Sequence, residues 1–272
     1  HEGDRVQVRF INHLSQPSTL HWHGLPVPPE QDGNPHDPVP SGAERTYSFN
    51  LPKGSAGTYW YHPHPHGHTA EQAFRGLAAP FIVRAAVDPL AGISERHLLI
   101  SDLKLNVDGS IADNDANDWM NGREGQFVLI NGQHQPTLEL HGAERWRLWN
   151  ACNARYLRLN LGGHSFSLVG SDGGLLEQPQ TMTEILLAPA ERIEIIVQPG
   201  SEKRQFALTA EIYERHKMGK VAAERVITLA QVSLAHGGQI AALEADAAAG
   251  DPPVPAQIAH HGKCDGGFAA AG

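Results

Sequence analysis

Cysteine is nearly missing from this chain: Cys152 and Cys264 are the only two in 272 residues, far apart and without a second pair. A disulfide framework needs several such pairs, so each reads as a lone thiol. Long apolar runs are missing as well. No stretch approaches the roughly 18 consecutive apolar residues of a membrane helix, which excludes a helical span. Positive charge is in deficit, with 21 Lys and Arg against 30 Asp and Glu and a net charge of −9. Such a chain repels phosphate backbones, which argues against a nucleic-acid partner. At His1 there is neither a methionine nor the charged and apolar stretches of a secretory leader. The expectation is that any targeting segment was removed or never included.

Histidine is in excess. Nine of the 17 fall within the first 68 residues: His1, His13, His21, His23, His36, His62, His64, His66 and His68. Four of them form the pairs His21-Trp22-His23 and His62-Pro63-His64. Alternate residues of an extended strand point to one side, so each pair aims two imidazoles into one space, and two such strands side by side supply four nitrogen ligands. Imidazole suits copper, zinc, iron and nickel alike, so the spacing argues for a metal without choosing it.

The 28 glycines and 19 prolines suit a turn-rich β protein. Alternating or β-branched runs at residues 6–12, 19–23, 46–51, 58–62 and 81–84 predict strands. Breakers such as Pro26-Val27-Pro28-Pro29 and Asp32-Gly33-Asn34-Pro35 separate them. A short helix is expected over 69–75, because Thr69-Ala70-Glu71-Gln72 has a capping-box pattern and Gly76 can close it. The pattern breaks near 87–92, and further strands are expected at 127–131, 145–151, 156–161, 166–170, 183–187, 192–197, 205–211 and 225–232. The predicted fold is therefore all-β, two mostly antiparallel sandwiches in tandem: residues 1–90, residues 95–234, and a linker-like tail rich in Ala, Gly and Pro over 235–272.

The motifs Thr19-Leu20-His21-Trp22-His23-Gly24-Leu25, Gly57-Thr58-Tyr59-Trp60-Tyr61-His62-Pro63-His64 and Gly76-Leu77-Ala78 resemble those of multicopper oxidases of the bacterial three-domain laccase and cuprous-oxidase type. Asn131-Gly132, Asn150-Ala151, Asp172-Gly173-Gly174 and Leu187-Ala188-Pro189-Ala190-Glu191-Arg192 extend the resemblance over nearly the whole chain. It implies tandem cupredoxin-like Greek-key domains and copper as cofactor. It further implies that His21 binds the type 2 copper, His23 and His62 one type 3 copper, and His64 its partner, with Asp32 guiding protons to the cluster. Dioxygen would be the acceptor and phenols, amines or cuprous ion the donors, in an extracytoplasmic setting. In the family further cluster histidines come from a later domain, and the type 1 copper takes a Cys within a His-Cys-His segment. No His-Cys-His occurs here. The expectation is thus an N-terminal two-domain portion of a longer oxidase, or a protein that has lost the remainder, holding half a trinuclear site and inactive by itself. A third cupredoxin domain, or a second copy of the chain, is the expected partner.

Two other functions compete with that one. A non-catalytic copper-binding or interaction protein could keep the same scaffold, as division-associated relatives do, although those have lost their cluster histidines. A zinc hydrolase built on His62 and His64 would want a carboxylate nearby, and none follows before Glu71. Of the remaining candidates, His66 and His68 read as solvated loop residues and His164 as structural. Asp172-Gly173-Gly174 reads as a turn, Cys152 as a small buried thiol, and Trp22 and Trp60 as core aromatics that wall the site. Cys264 with His260 and His261 lacks a scaffold for a metal.

Overall fold

The computed structural model describes residues 1–198 and 205–235. Its first part supplies β1 (Arg5–Ile11), β2 (His21–His23), β3 (Glu44–Asn50), β4 (Gly57–His62), the helix α1 (Thr69–Phe74) and β5 (Ala79–Val83). β1 pairs antiparallel with β3, and β2, β4 and β5 make a second, three-stranded antiparallel sheet. Period-two alternation decides what faces inward. Val6, Val8 and Phe10 of β1 pack with Tyr47 and Phe49 of β3 onto Trp22, Tyr59 and Val83 of the opposing sheet, while Arg5, Gln7 and Arg9 face outward.

The second part contains β6 (Ser94–Leu103), the helix α2 (Ala116–Asn121), β7 (Phe127–Ile130), β8 (Gln133–His134), β9 (Thr137–Leu140) and β10 (Glu144–Asn150). It continues with β11 (Leu157–Asn160), β12 (Phe166–Ser171), β13 (Gly174–Met182), β14 (Glu184–Leu187), β15 (Arg192–Val197), β16 (Gln205–Glu211) and β17 (Ile227–Leu234). Seven strands form one sheet in the order β13-β12-β15-β10-β6-β7-β8, and five form the other in the order β14-β11-β16-β17-β9. Leu98, Ile100, Trp146, Leu148 and Ile195 of the first sheet pack against Leu157, Leu159, Leu208 and Leu229 of the second. Two sandwiches in tandem result, and the only α-helices among the described residues are the six-residue α1 and α2. Most pairs are antiparallel as expected, but β10 with β6 and β17 with β9 run parallel. Parallel neighbours cannot be joined by a tight hairpin, so the chain must cross over between them.

Some local features differ from the sequence expectation. α1 forms, but its N-cap is His68 without a side-chain bond, and the Thr69 hydroxyl instead donates to the carbonyl of Pro65 at 2.8 Å. A capping box does exist at α2, written as Asp115 and Asp118, with Asp in place of the longer Glu or Gln at its third position. β13 was not anticipated because Gln178-Pro179-Gln180 breaks its pattern; it lies at the sheet edge, where a proline forfeits no ladder bond. The tail from residue 236 onward lies outside the described residues, and with it His260, His261 and Cys264.

β10 and β15 are buried on both faces. Ile193, Ile195 and Leu148 point into the sandwich core. Arg192, Glu194, Arg145 and Arg147 point the other way, toward β4 of the first sandwich. The carboxylate of Glu194 accepts from the Thr58 hydroxyl at 2.5 Å and from Arg145 and Arg147, and Arg192 Nε donates to the Thr58 carbonyl at 2.9 Å. Glu95 pairs with Arg147 at 2.9 Å and with Arg84 at 2.6 Å, and Asp88 with Arg145 at 2.7 Å. This network clamps β4 only a few residues from its histidine.

Candidate metal centre

The histidines meet because of strand register. In the β2/β4 pair His21 stands opposite His62, Trp22 opposite Tyr61 and His23 opposite Trp60. His21, His23, His62 and Trp60 therefore share one face. Trp22 and Tyr61 share the other, and Trp22 lies in the first sandwich core with its indole N–H donating to the Gln31 carbonyl at 3.0 Å. One ligand atom each from His21, His23 and His62 lies within 4.8 Å of the others. His64 arrives after Pro63, past the strand end, and is anchored by its backbone N–H donating to the Thr19 hydroxyl at 2.8 Å. Its ring centre lies 5.1 Å from that of His21 and 5.9 Å from that of His62. It joins the group as a fourth, looser member, outside the tight triad.

Two of the rings are oriented through their Nδ1 atoms. His21 Nδ1 lies 3.1 Å from both the carbonyl and a carboxylate oxygen of Asp32, and His62 Nδ1 lies 2.9 Å from the Pro63 carbonyl. A proton on each Nδ1 leaves Nε2 as a free base. His23 Nδ1 faces His62 Nε2 at 3.1 Å. Burial, reinforced by the nearby Arg192 and the other imidazoles, pushes the His23 pKa down to about 3. Burial likewise lowers His62 to about 4, against the Pro63 carbonyl that favours its charged form. At His21 burial also opposes the charge, but Asp32 outweighs it and the pKa is raised. His23 and His62 are thus neutral near pH 7, as metal ligands must be.

Asp32 is placed by the loop after the single 3₁₀ turn Pro29–Gln31. Its carboxylate also accepts the Trp22 backbone N–H at 3.2 Å, tying the loop to β2. Gly33 follows with φ of +62°, and a Cβ there would lie 2.3 Å from the Leu20 carbonyl oxygen. Only glycine permits that approach.

Trp60 walls the histidines, its ring centre 4.5 Å from His62 and 5.1 Å from His23. Two buried nitrogens here, His64 Nδ1 and Trp60 Nε1, have no hydrogen-bond partner among the described residues. An orphaned buried imidazole nitrogen beside three convergent ones fits a soft or borderline metal ion better than a closed hydrogen-bonded core. The donor set is all nitrogen, with Asp32 behind His21 and not in the ligand shell. Copper suits it.

The histidines open onto a cleft of about 510 Å³ whose far wall includes Trp119, Arg123, Cys152 and Ala190 from the second sandwich. Cys152 is buried, and burial raises its thiol pKa well above the usual value, as expected of an inert packing residue. His164 lies elsewhere, its Nδ1 2.8 Å from the Leu161 carbonyl and its ring on Phe206. Asp172 sits in the β12/β13 turn and pairs with Arg192 at 3.0 Å. Thr19 and Arg192 lie in the quoted motifs, but their roles as supports of the site, like that of Gln31, could not be read from them, since each acts on a group far away in sequence or through its backbone.

A cluster of imidazoles on adjacent strands of a β-sandwich defines a site for a borderline metal ion, and the comparisons point to copper. Family models described as "Multicopper oxidase" match residues 1–88 and residues 103–233. A multicopper oxidase of Staphylococcus aureus is 36% identical over 202 residues, covering 72% of this chain and 44% of that protein. The solved structure of a multicopper oxidase from Campylobacter jejuni, described as a metallo-oxidase, superposes with a TM-score of 0.82 at 47% identity, covering 86% of this chain and 49% of that one. A cell division protein FtsP of Photorhabdus laumondii is 31% identical over 211 residues, covering 74% of this chain and 44% of its own length. The chain belongs to the multicopper oxidases, and its two sandwiches are cupredoxin-like. It spans about half the length of the relatives it matches.

Proposed function

We propose that this chain supplies half of a trinuclear copper site in a laccase-like oxidase that reduces dioxygen to water. The observation that carries this reading is the triad His21, His23 and His62 within 4.8 Å, with the unpartnered Nδ1 of His64 beside it. His21 would hold the type 2 copper, His23 and His62 one type 3 copper, and His64 the other. Bound copper would supply one-electron redox chemistry and open positions for dioxygen. The protein's own groups do the rest. Asp32 fixes the tautomer of His21 and, being half-exposed, can pass protons from solvent toward the cleft. Trp60 and the buried β4 strand exclude water from one side.

The 272 residues contain no His-Cys-His and so no family-type entry point for electrons. Turnover with phenols, amines or cuprous ion then depends on residues outside this stretch, carried by a third cupredoxin domain or a second chain. An extracytoplasmic location belongs to the same proposal; no described helix is long and apolar enough to cross a membrane.

A second reading is a non-catalytic copper-binding or interaction protein on this scaffold, and the match to a cell division protein favours it. Metal content, an absorption spectrum and a laccase assay on copper-loaded protein separate the half-site from an interaction protein that holds no copper. Copper retained by the chain and lost in His21→Ala and His62→Ala, without a blue thiolate band or turnover, supports half a site. No copper retention supports the interaction protein. A blue band with turnover refutes the half-site, because it requires a thiolate ligand.

A further inference from the structure

Outside the cluster, two more imidazoles meet. His36 and His66 belong to different loops, yet their ring centres are 4.6 Å apart at 64°, and both side chains are exposed. Each loop is a closed turn. The His36 N–H donates to Asn34 Oδ1 at 2.9 Å and the Asp37 N–H to the Asn34 carbonyl at 3.1 Å. On the other side His68 and Thr69 N–H groups both donate to the Pro65 carbonyl, at 3.2 and 3.1 Å. The rings are thus presented by backbone that is already ordered.

The spacing can be tested against coordination geometry. With nitrogen–metal bonds of about 2.0 Å and roughly 1 Å more to each ring centre, two imidazoles at right angles on one ion have centres ~4.2 Å apart, and a wider angle separates them further. The observed 4.6 Å admits a shared ion between a right angle and a tetrahedral one, with little movement of either ring. The nearest acidic side chain in sequence, Asp37, is engaged by Arg45 at 2.6 Å and is not available, so water would complete the shell. Net charge of −9 favours cation capture.

We propose that His36 and His66 form a solvent-facing divalent copper site, distinct from the buried cluster, that captures the ion and passes it inward. His66 is separated from the cluster residue His64 by Pro65 alone, which puts the surface pair beside the segment that completes the cluster. The inward transfer rests on the function proposed above; the surface binding does not.

The test is titration of the metal-free chain with copper(II), resolving a fast-exchanging pool, removed at once by a chelator, from a slow one. His36→Ala is expected to weaken the fast pool by about tenfold or more, the least that loss of even an outer partner costs, and to slow filling of the slow pool without lowering its final content. His66→Ala should weaken the fast pool equally. The double variant His21→Ala/His62→Ala should lose the slow pool and keep the fast one. If His36→Ala binds and fills like the unaltered chain, the two rings are only an edge-to-face pair and the proposal fails. Weakened fast binding with unchanged filling overturns the transfer role alone. A missing slow pool in the unaltered chain refutes the cluster reading and leaves the surface site standing.

Discussion

Glu194→Gln should destabilise the chain more than any substitution at the histidine cluster, although it touches no candidate ligand. Glu194 is 1% exposed, and Arg145 and Arg147 are 3% and 2% exposed. In the network three guanidiniums, of Arg84, Arg145 and Arg147, face three carboxylates, of Asp88, Glu95 and Glu194. Glutamine keeps the volume but removes one negative charge and points amide hydrogens at donors. Removing one partner of a buried pair costs about 3–5 kcal/mol. The low end applies, because Asp88 still holds Arg145 at 2.7 Å and Glu95 still holds Arg147 at 2.9 Å. At about 2–4 °C per kcal/mol for a protein of this size, the melting temperature should fall by about 6–12 °C. Circular dichroism melts of the metal-free protein read this directly. The double variant Glu194→Gln/Arg147→Gln restores the charge balance, so it should be less destabilised than the sum of the two single variants. A shift within the error of the melt for Glu194→Gln, or strict additivity in the double variant, would refute the claim that uncompensated charge is what the network prevents.

Further outcomes follow from the same structure. At Glu95 burial pushes the pKa up, but the bonds from Arg84 and Arg147 outweigh it and hold the carboxyl well below its usual range. A carboxylate depressed in the folded state stabilises above its unfolded pKa, so urea midpoints should fall as pH drops from about 5 to 3, and Glu95→Gln should flatten that slope. With Cys264 replaced by Ser, the Cys152 thiol should resist labelling by a disulfide reagent in native protein and react fully in denaturant, because burial raises its pKa. Rapid labelling under native conditions would contradict its packing role. Gly33→Ala must push against the Leu20 carbonyl and hold φ near +62°, which should destabilise the chain by more than about 1 kcal/mol and loosen copper through His21 and Asp32. Unchanged melting and copper retention would show the loop to be free to shift.

How much of the site could be read in the chain depends on which residues are local to one another. His21, His23 and His62 obey the two-residue period of a strand, so their common face follows from sequence once β2 and β4 are paired. The same rule separates Trp60, on that face, from Trp22, one residue off and in the core. His64 lies past Pro63, where the period ends, and its place depends on a bond to Thr19 that no spacing marks. Asp32 reaches His21 only because Gly33 lets the loop close on Leu20. The second sandwich was the harder part. Residues 192–197 alternate as a strand packed on one face, yet both faces are covered: Ile193 and Ile195 by their own sandwich, Arg192 and Glu194 by Thr58 on β4. An alternating polar set reads as solvated unless something else is known to cover it. Here the cover is the strand that carries His62, and the cleft beyond the histidines is walled by Cys152 and Ala190. The second sandwich therefore acts on the candidate metal site twice, once through the charges that fix β4 and once through the surface that closes the cleft. A substitution far along the chain from the histidines can disturb them by either route, and Glu194→Gln with Trp119→Ala would tell the two apart: the first through stability, the second, at a 77% exposed side chain on the cleft wall, through metal access at unchanged stability.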